Sequence, residues 1–210
     1  MDSKSKTHWD QVFESGKISG LGWYEPEPLP SLEMIDRCRL RSEEAILDAG
    51  AGAGYLADKL LEKGFSNLIL ADISPAALTI LSDRLGEAGS GKTRFLEIDL
   101  GADALPSDCD SLALWHDRAV LHFLTEAAQQ ERYFKSVQDG VRPGGFVILA
   151  AYSLNGAKRC AGLPVFNYDS AMMVERIGPD FSLLETFDYV FSMPSGDLRP
   201  FVYARFQKKA

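Results

Sequence analysis

Asp48, Asp72 and Asp99 each close an apolar run in the first half of the sequence. Each run reads as a strand. In a βαβ unit an acid at a strand tip is placed to accept hydrogen bonds from ribose hydroxyls. At the third tip, Asp99 can accept from the exocyclic amine of a purine, and Ile73 and Leu100 can sandwich such a ring. Asp48 is followed by alternating glycines, Gly50, Gly52 and Gly54. Glycine reaches φ > 0 at no steric cost and has no Cβ, so backbone in such a turn can approach a ligand closely.

The glycine spacing is G-x-G-x-G, and the place where a dinucleotide turn has its third glycine is held by Tyr55. A dinucleotide turn also sets a pyrophosphate against the helix N-terminus, and the Asp48 carboxylate repels phosphate while suiting a cation. A ligand with adenosine at one end and an ammonium and a sulfonium at the other fits better. That ligand is S-adenosylmethionine (SAM). Asp72 also has a plainer reading, as a helix cap ahead of Ser74-Pro75.

These residues need a framework. Residues 56–64 read as a helix with Leu56, Leu60 and Leu61 on one side, and Ser74-Pro75 opens another. Strands are expected at 46–49, 68–72, 94–100, 111–115 and 146–152, the last after the turn Pro143-Gly144-Gly145. Residues 153–167 read as a loop and 170–177 as a helix. Residues 183–193 and 198–206 read as strands around Pro194-Ser195-Gly196-Asp197. At the other end, residues 1–10 are polar and expected to fray, and residues 1–30 form a lid segment. In the lid Gly16, Gly20 and Gly22 loosen the chain, Trp23 and Tyr24 supply aromatics, and Pro26, Pro28 and Pro30 stiffen it. Ser31 is placed to cap the helix after the lid.

With D-A-G-A-G-A-G (48–54), Asp72, E-I-D (97–99) and R-P-G-G (142–145) in this order, the chain resembles the class I SAM-dependent methyltransferases. The resemblance implies an α/β, Rossmann-like fold: a seven-stranded, mostly parallel sheet with helices on both faces and a C-terminal antiparallel hairpin. It implies one domain over residues 1–210, with the cofactor-binding core at 44–152 and the acceptor loop and hairpin at 153–210. It assigns the methionine part of SAM to Asp48 and the Gly50–Gly54 turn, the ribose to Asp72 and the adenine to Asp99. The string W-H-D-R-A-V-L-H-F-L (115–124), with H-W-D at 8–10, resembles a distinct subgroup of small bacterial-type methyltransferases. In the family the fourth-strand tip, here near His116, lines the acceptor pocket.

Methyl transfer from a sulfonium is an in-line displacement. A general base is needed only if the acceptor must lose a proton at the rate-limiting step. His116 is the first candidate for contact with acceptor or cofactor and for that base, and His122 the second. Structural hydrogen bonding is the competing role for both. Asp117 and Arg118 read either as orienting the turn or binding a charged acceptor, or as an ion pair. Trp23 is expected to cover the sulfonium, and Tyr152 to line the acceptor pocket.

A net charge of −8 argues against nucleic acid. Cys38, Cys109 and Cys160 are widely spaced, without C-x-x-C, and read as reduced thiols rather than a disulfide set or a metal site. The N-terminus lacks an apolar signal region, and no run reaches membrane-span length. A cytoplasmic location and no membrane partner are the expectation. The function read from the chain is therefore methyl transfer from SAM to a small-molecule acceptor. A protein acceptor, a SAM-binding module without turnover and a dinucleotide-dependent oxidoreductase are the rivals. Tyr55 and Asp48 disfavour the last.

Overall fold

The computed structural model describes residues 3–210. In chain order the elements are α1 (Ser3–Ser15), α2 (Leu29–Cys38), β1 (Ile46–Ala49), α3 (Leu56–Glu62), β2 (Leu68–Asp72), α4 (Pro75–Gly89), β3 (Thr93–Glu97) and β4 (Leu112–Arg118). After these come α5 (Ala127–Gly140), β5 (Val141–Tyr152), β6 (Arg159–Cys160), β7 (Leu163–Pro164), α6 (Ser170–Ile177), β8 (Phe181–Ser192) and β9 (Leu198–Lys208).

Seven strands form one sheet in the order β3-β2-β1-β4-β5-β9-β8. β1 to β5 run parallel, and β9 and β8 add an antiparallel hairpin at one edge. The chain therefore moves outward from β1 to β3 and then crosses back to lay β4 on the other side of β1. That reversal opens a crevice beyond the carboxyl ends of β1 and β4, where open α/β sheets bind ligands.

Strand alternation divides the core between the two faces. Leu47, Trp115 and Leu149 pack with Tyr133, Phe134 and Val137 of α5. Ile46, Leu114 and Ile148 pack on the opposite face with Met34 and Ile35 of α2 and Leu56 and Leu60 of α3. On β4 the same alternation turns His116 toward Ser31 of α2 and Asp117 toward Tyr133 of α5. Helix starts follow local chemistry: Ser74 Oγ accepts from the Ala77 amide at 3.2 Å, with Pro75 at the first helical position. Asp169 caps α6 by accepting from the Met172 amide at 2.8 Å.

Several expected boundaries shift for tertiary reasons. From Ser3 the chain is helical rather than frayed, because Trp9 and Phe13 pack inward and Asp10 Oδ1 accepts a 2.6 Å bond from Ser74 Oγ. Met1 and Asp2 lie outside the described residues. Helix α2 starts at Leu29 with Pro28 as its cap, so Ser31 lies inside it and turns its hydroxyl to His116. Strand β4 continues to Arg118, three residues past its expected end at 115, so His116, Asp117 and Arg118 belong to the strand itself. Strand β5 starts at Val141, and its pairing with β4 jumps from Leu112–Val141 to Leu114–Phe146 across the R-P-G-G segment. The expected loop 153–167 contains the small β6–β7 hairpin. Among the described residues no helix is long and apolar enough to cross a membrane.

Candidate active site

A cavity lies over the carboxyl ends of the central strands and beneath the N-terminal segment. It is lined by Trp23, Asp48, Gly50, Gly52, Gly54, Asp72, Ile73, Asp99, Leu100 and His116 among others. Its wall is drawn from the ends of β1, β2, β4 and β5, from β8 and β9 and from the N-terminal segment.

The glycine turn is fastened to β2. The amides of Gly50 and Ala51 both donate to the Ala71 carbonyl, at 2.8 and 2.9 Å. Gly50 and Gly52 have φ of +70° and +55°, values an L side chain resists. A Cβ on Gly50 would also lie 1.9 Å from Val120 Cγ2. Asp72 holds the turn from below: its Oδ2 accepts from the Gly52 amide at 2.8 Å and its Oδ1 from the Ser74 amide at 2.9 Å. The helix cap is Ser74, not Asp72. Burial pushes the Asp72 carboxyl up to about 6, against the pull of those amides. From outside, Arg84 lies 4.3 Å over the Tyr55 ring and donates to the Ala53 carbonyl at 2.8 Å.

Because β1 and β4 are adjacent, Asp48 pairs in register with His116. Asp48 Oδ1 lies 2.7 Å from His116 Nδ1, and His116 Nε2 lies 2.9 Å from Ser31 Oγ. All three groups are buried. A carboxylate oxygen accepts from Nδ1, and Nε2 shares a hydrogen bond with the Ser31 hydroxyl. Both ring nitrogens are thus engaged by the protein, and the arrangement holds the Asp48 carboxylate at the cavity wall. Asp99 accepts from the Gly101 amide at 3.0 Å, which fixes its carboxylate at the same wall as Leu100.

His122 is placed differently. It sits in a short turn, Leu121–Phe123, after β4. The ring is fully buried and stacks on Tyr152 at 4.4 Å, and its Nδ1 accepts from the Tyr152 amide. Tyr152 lines the cavity; His122 is not among the lining residues. Burial and the Arg118 charge push the His122 pKa down to about 3, so the ring stays neutral at physiological pH. Asp117 is buried as well: it accepts from Tyr133 and from the amides of Val120 and Leu121. It thereby shapes the turn that carries Val120 to the cavity wall.

The remaining wall comes from later strands and from the lid. Arg118 lies between the rings of Phe191 and Phe201, at 4.8 and 5.2 Å from their centres. It donates to Tyr203 Oη at 3.2 Å and to the Trp23 carbonyl at 3.3 Å, and Glu25 Oε2 lies 3.1 Å from its Nε. Trp9 meets Trp23 and Phe123 edge-on, at 5.7 and 4.9 Å between ring centres. The H-W-D string thus supplies a cavity aromatic in Trp9 and a tether in Asp10. Ser31 reads from the sequence only as a helix cap and Val120 only as part of the 115–124 string, and nothing in its spacing marks Glu25. Position i+2 from His116 on a strand was the available signal that Arg118 shares its face.

Residues 46–145 match the family model for a methyltransferase domain. A ubiquinone/menaquinone biosynthesis C-methyltransferase, UbiE, of Coxiella burnetii is 32% identical over 123 residues, covering 57% of this chain and 47% of that protein. The chain thus spans about half the length of the curated relatives it matches first. A SAM-dependent methyltransferase structure from Anabaena variabilis superposes with a TM-score of 0.74 at 15% identity, covering 98% of this chain and 93% of that one. The 1,6-didemethyltoxoflavin-N1-methyltransferase of Burkholderia thailandensis, solved with 1,6-didemethyltoxoflavin and S-adenosylhomocysteine, superposes with a TM-score of 0.67 at 18% identity. It covers 99% of this chain and 85% of that one. At such identities the likeness is one of fold. The sequence of residues 46–145 is thus similar to methyltransferase domains, and the fold to that of SAM-dependent methyltransferases.

The residues present suit that cofactor. Gly50 has no room for a Cβ, carboxylates stand at the tips of β1 and β2 with Asp99 just past β3, and Ile73 and Leu100 supply apolar surface.

Proposed function

We propose that the protein transfers a methyl group from SAM to a small-molecule acceptor held in the same cavity. The observation that carries this reading is the division of the wall. Asp48, the glycine turn, Asp72 and Asp99 belong to β1–β3 and their ends, while Tyr152, Phe191 and Phe201 belong to β5, β8 and β9. The first set suits SAM: Asp48 for the ammonium, Asp72 for the ribose hydroxyls, Asp99 for the adenine amine, with Ile73 and Leu100 on the ring. Trp23 faces the sulfonium. When bound, SAM supplies an electrophilic methyl group.

The chain's own task is alignment, which can supply roughly 7–11 kcal/mol of the barrier to such a displacement. The lid aromatics and Arg118 exclude water from the line of transfer. His116 positions Asp48, and becomes a base toward an acceptor only when Ser31 gives up Nε2. An enclosed, aromatic second half favours a small molecule over a protein segment, which would need an open groove. The names of the Coxiella and Burkholderia proteins likewise point to small-molecule acceptors of their own.

Calorimetry with S-adenosylhomocysteine tests the donor side. Wild type should bind, and Asp48→Ala and Asp72→Ala should each weaken binding by roughly tenfold or more, as expected for lost charge-assisted hydrogen bonds. Wild-type affinity in both variants would sink the site assignment. Labelled methyl from SAM, incubated with cell extract and fractionated by size, should appear among small molecules. Label confined to protein would instead support a protein acceptor.

A further inference from the structure

Two polar atoms in the second half of the wall are buried and lack hydrogen-bond partners: Arg118 Nη2 and Glu25 Oε2. Both residues line the cavity. They are neighbours, since Glu25 Oε2 lies 3.1 Å from Arg118 Nε. That nitrogen's hydrogen goes to Tyr203 Oη. A buried donor or acceptor left unmade costs its full desolvation, and native proteins rarely leave two together. A vacant donor and a vacant acceptor side by side in a ligand cavity are complementary to a ligand edge that offers the reverse pair.

Charge narrows the class. The Arg118 and Glu25 charges already offset each other, so an added anion or cation would leave one charge of the site uncompensated. Shape narrows it further, because the Phe191 and Phe201 rings pack on Arg118 and Trp23 and Tyr152 line the same cavity, and aromatic surfaces favour flat, conjugated partners. Resting on the proposed methyl transfer in this cavity, we infer that the methyl acceptor is a neutral, planar ring with a carbonyl beside an N–H, a lactam edge. Arg118 Nη2 donates to the carbonyl and Glu25 Oε2 accepts from the N–H.

Arg118 lies on β4 between β1 and β5, and its side chain meets Tyr203 and Phe201 of β9 and Phe191 of β8. The methionyl carboxylate of SAM is the other ligand group that could reach Arg118, and it would bind as an anion.

The test uses the full chain, first titrated with S-adenosylhomocysteine and then, when saturated, with three flat probes. These are isoquinolin-1(2H)-one, its N-methyl derivative, which lacks the donor, and 1-naphthoate, which is an anion. The lactam should bind at least about tenfold more tightly than either of the others, since a site built around a hydrogen-bond pair rejects a ligand that leaves it unmade. The double variant Arg118→Met/Glu25→Met removes both charges together and so leaves no lone buried ion. It should lose the preference among the three probes. Equal binding of the three probes, tighter binding of 1-naphthoate, or an unchanged preference in the double variant would overturn the inference. Loss of S-adenosylhomocysteine binding in the double variant would assign Arg118 to the cofactor carboxylate and overturn it too. If the double variant does not fold, the three-probe comparison on wild type decides alone. Wild type that fails to bind S-adenosylhomocysteine would instead overturn the reading of the whole cavity.

Discussion

Asp48, Asp72 and Asp99 reach the cavity from the ends of three successive strands, whereas the opposite wall is gathered from Trp23, Glu25, Arg118, Tyr152, Phe191 and Phe201. The first wall is polar: the Gly52 and Ser74 amides hold Asp72, the Gly101 amide holds Asp99, and the His116 ring holds Asp48. Its counterpart is aromatic, holds an internally matched ion pair, and is closed by a segment from the N-terminal end. A site for an unchanging ligand can be written into one contiguous stretch of chain. A surface that selects one acceptor depends on how distant segments come together.

The sharpest way to break this division is where Gly50 of the cofactor wall meets Val120 of the turn after β4. Gly50→Ala should cost about 2–5 kcal/mol, combining the left-handed backbone penalty with an overpacked contact. It should remove measurable S-adenosylhomocysteine binding. Adding Val120→Ala relieves the clash but not the +70° φ, so stability should recover only in part. Thermal denaturation of both variants reads this out. A Gly50→Ala protein as stable as wild type would mean the turn is not the rigid seat described.

That asymmetry also explains what could be read from the sequence. The strand–glycine turn–helix unit, the acids at 48, 72 and 99 and the C-terminal hairpin are signalled by short-range patterns, and the seven-stranded sheet by the family resemblance. His116 was legible as a strand-tip residue, but not its engagement on both sides by Asp48 and Ser31. That depends on the β1–β4 register and on which face of α2 meets β4. Ser31 looked like a cap because its type favours caps, and the packing of Pro28 and Leu29 set the helix start earlier. His122 resembled a site residue because it shares a string with His116, and a single turn of chain buries it beside Tyr152 instead. The Arg118–Glu25 pair joins residues far apart in sequence, and no local pattern announces it.

A smaller effect separates the halves by titration. Burial raises Asp72, under the glycine turn, and Asp117, beneath the Val120 turn, each to about 6 from an ordinary 3.8. In both the folded state holds its proton more tightly than the unfolded chain. Their stabilising contribution is full below about pH 4 and is lost as pH rises through about 6. His122 runs the other way, its contribution present above its ordinary 6.5 and lost as pH falls toward about 3. Ligand binding should sense only the first of these groups. If ionised Asp72 accepts the ribose hydroxyls, S-adenosylhomocysteine affinity should fall by up to about tenfold per pH unit below 6. Asp72→Asn should flatten that profile and Asp117→Asn leave it in place. A flat wild-type profile between pH 5 and 7 would separate Asp72 from the ligand.

The mildest test concerns how the N-terminal helix is attached. Asp10 Oδ1 accepts from Ser74 Oγ at 2.6 Å and from the Ala76 amide at 3.4 Å, which ties α1 to the start of α4 on the cofactor side. Trp9 in the same helix reaches the aromatic side through Trp23 and Phe123. Asp10→Ala should cost only about 1 kcal/mol, the usual worth of one capping contact, because the aromatic packing remains. A small drop in Tm with nearly unchanged S-adenosylhomocysteine affinity would show that the tether and the lid aromatics act separately. A loss of affinity as large as that of Asp72→Ala would make α1 part of the cofactor wall, and the boundary between the two halves would move with it.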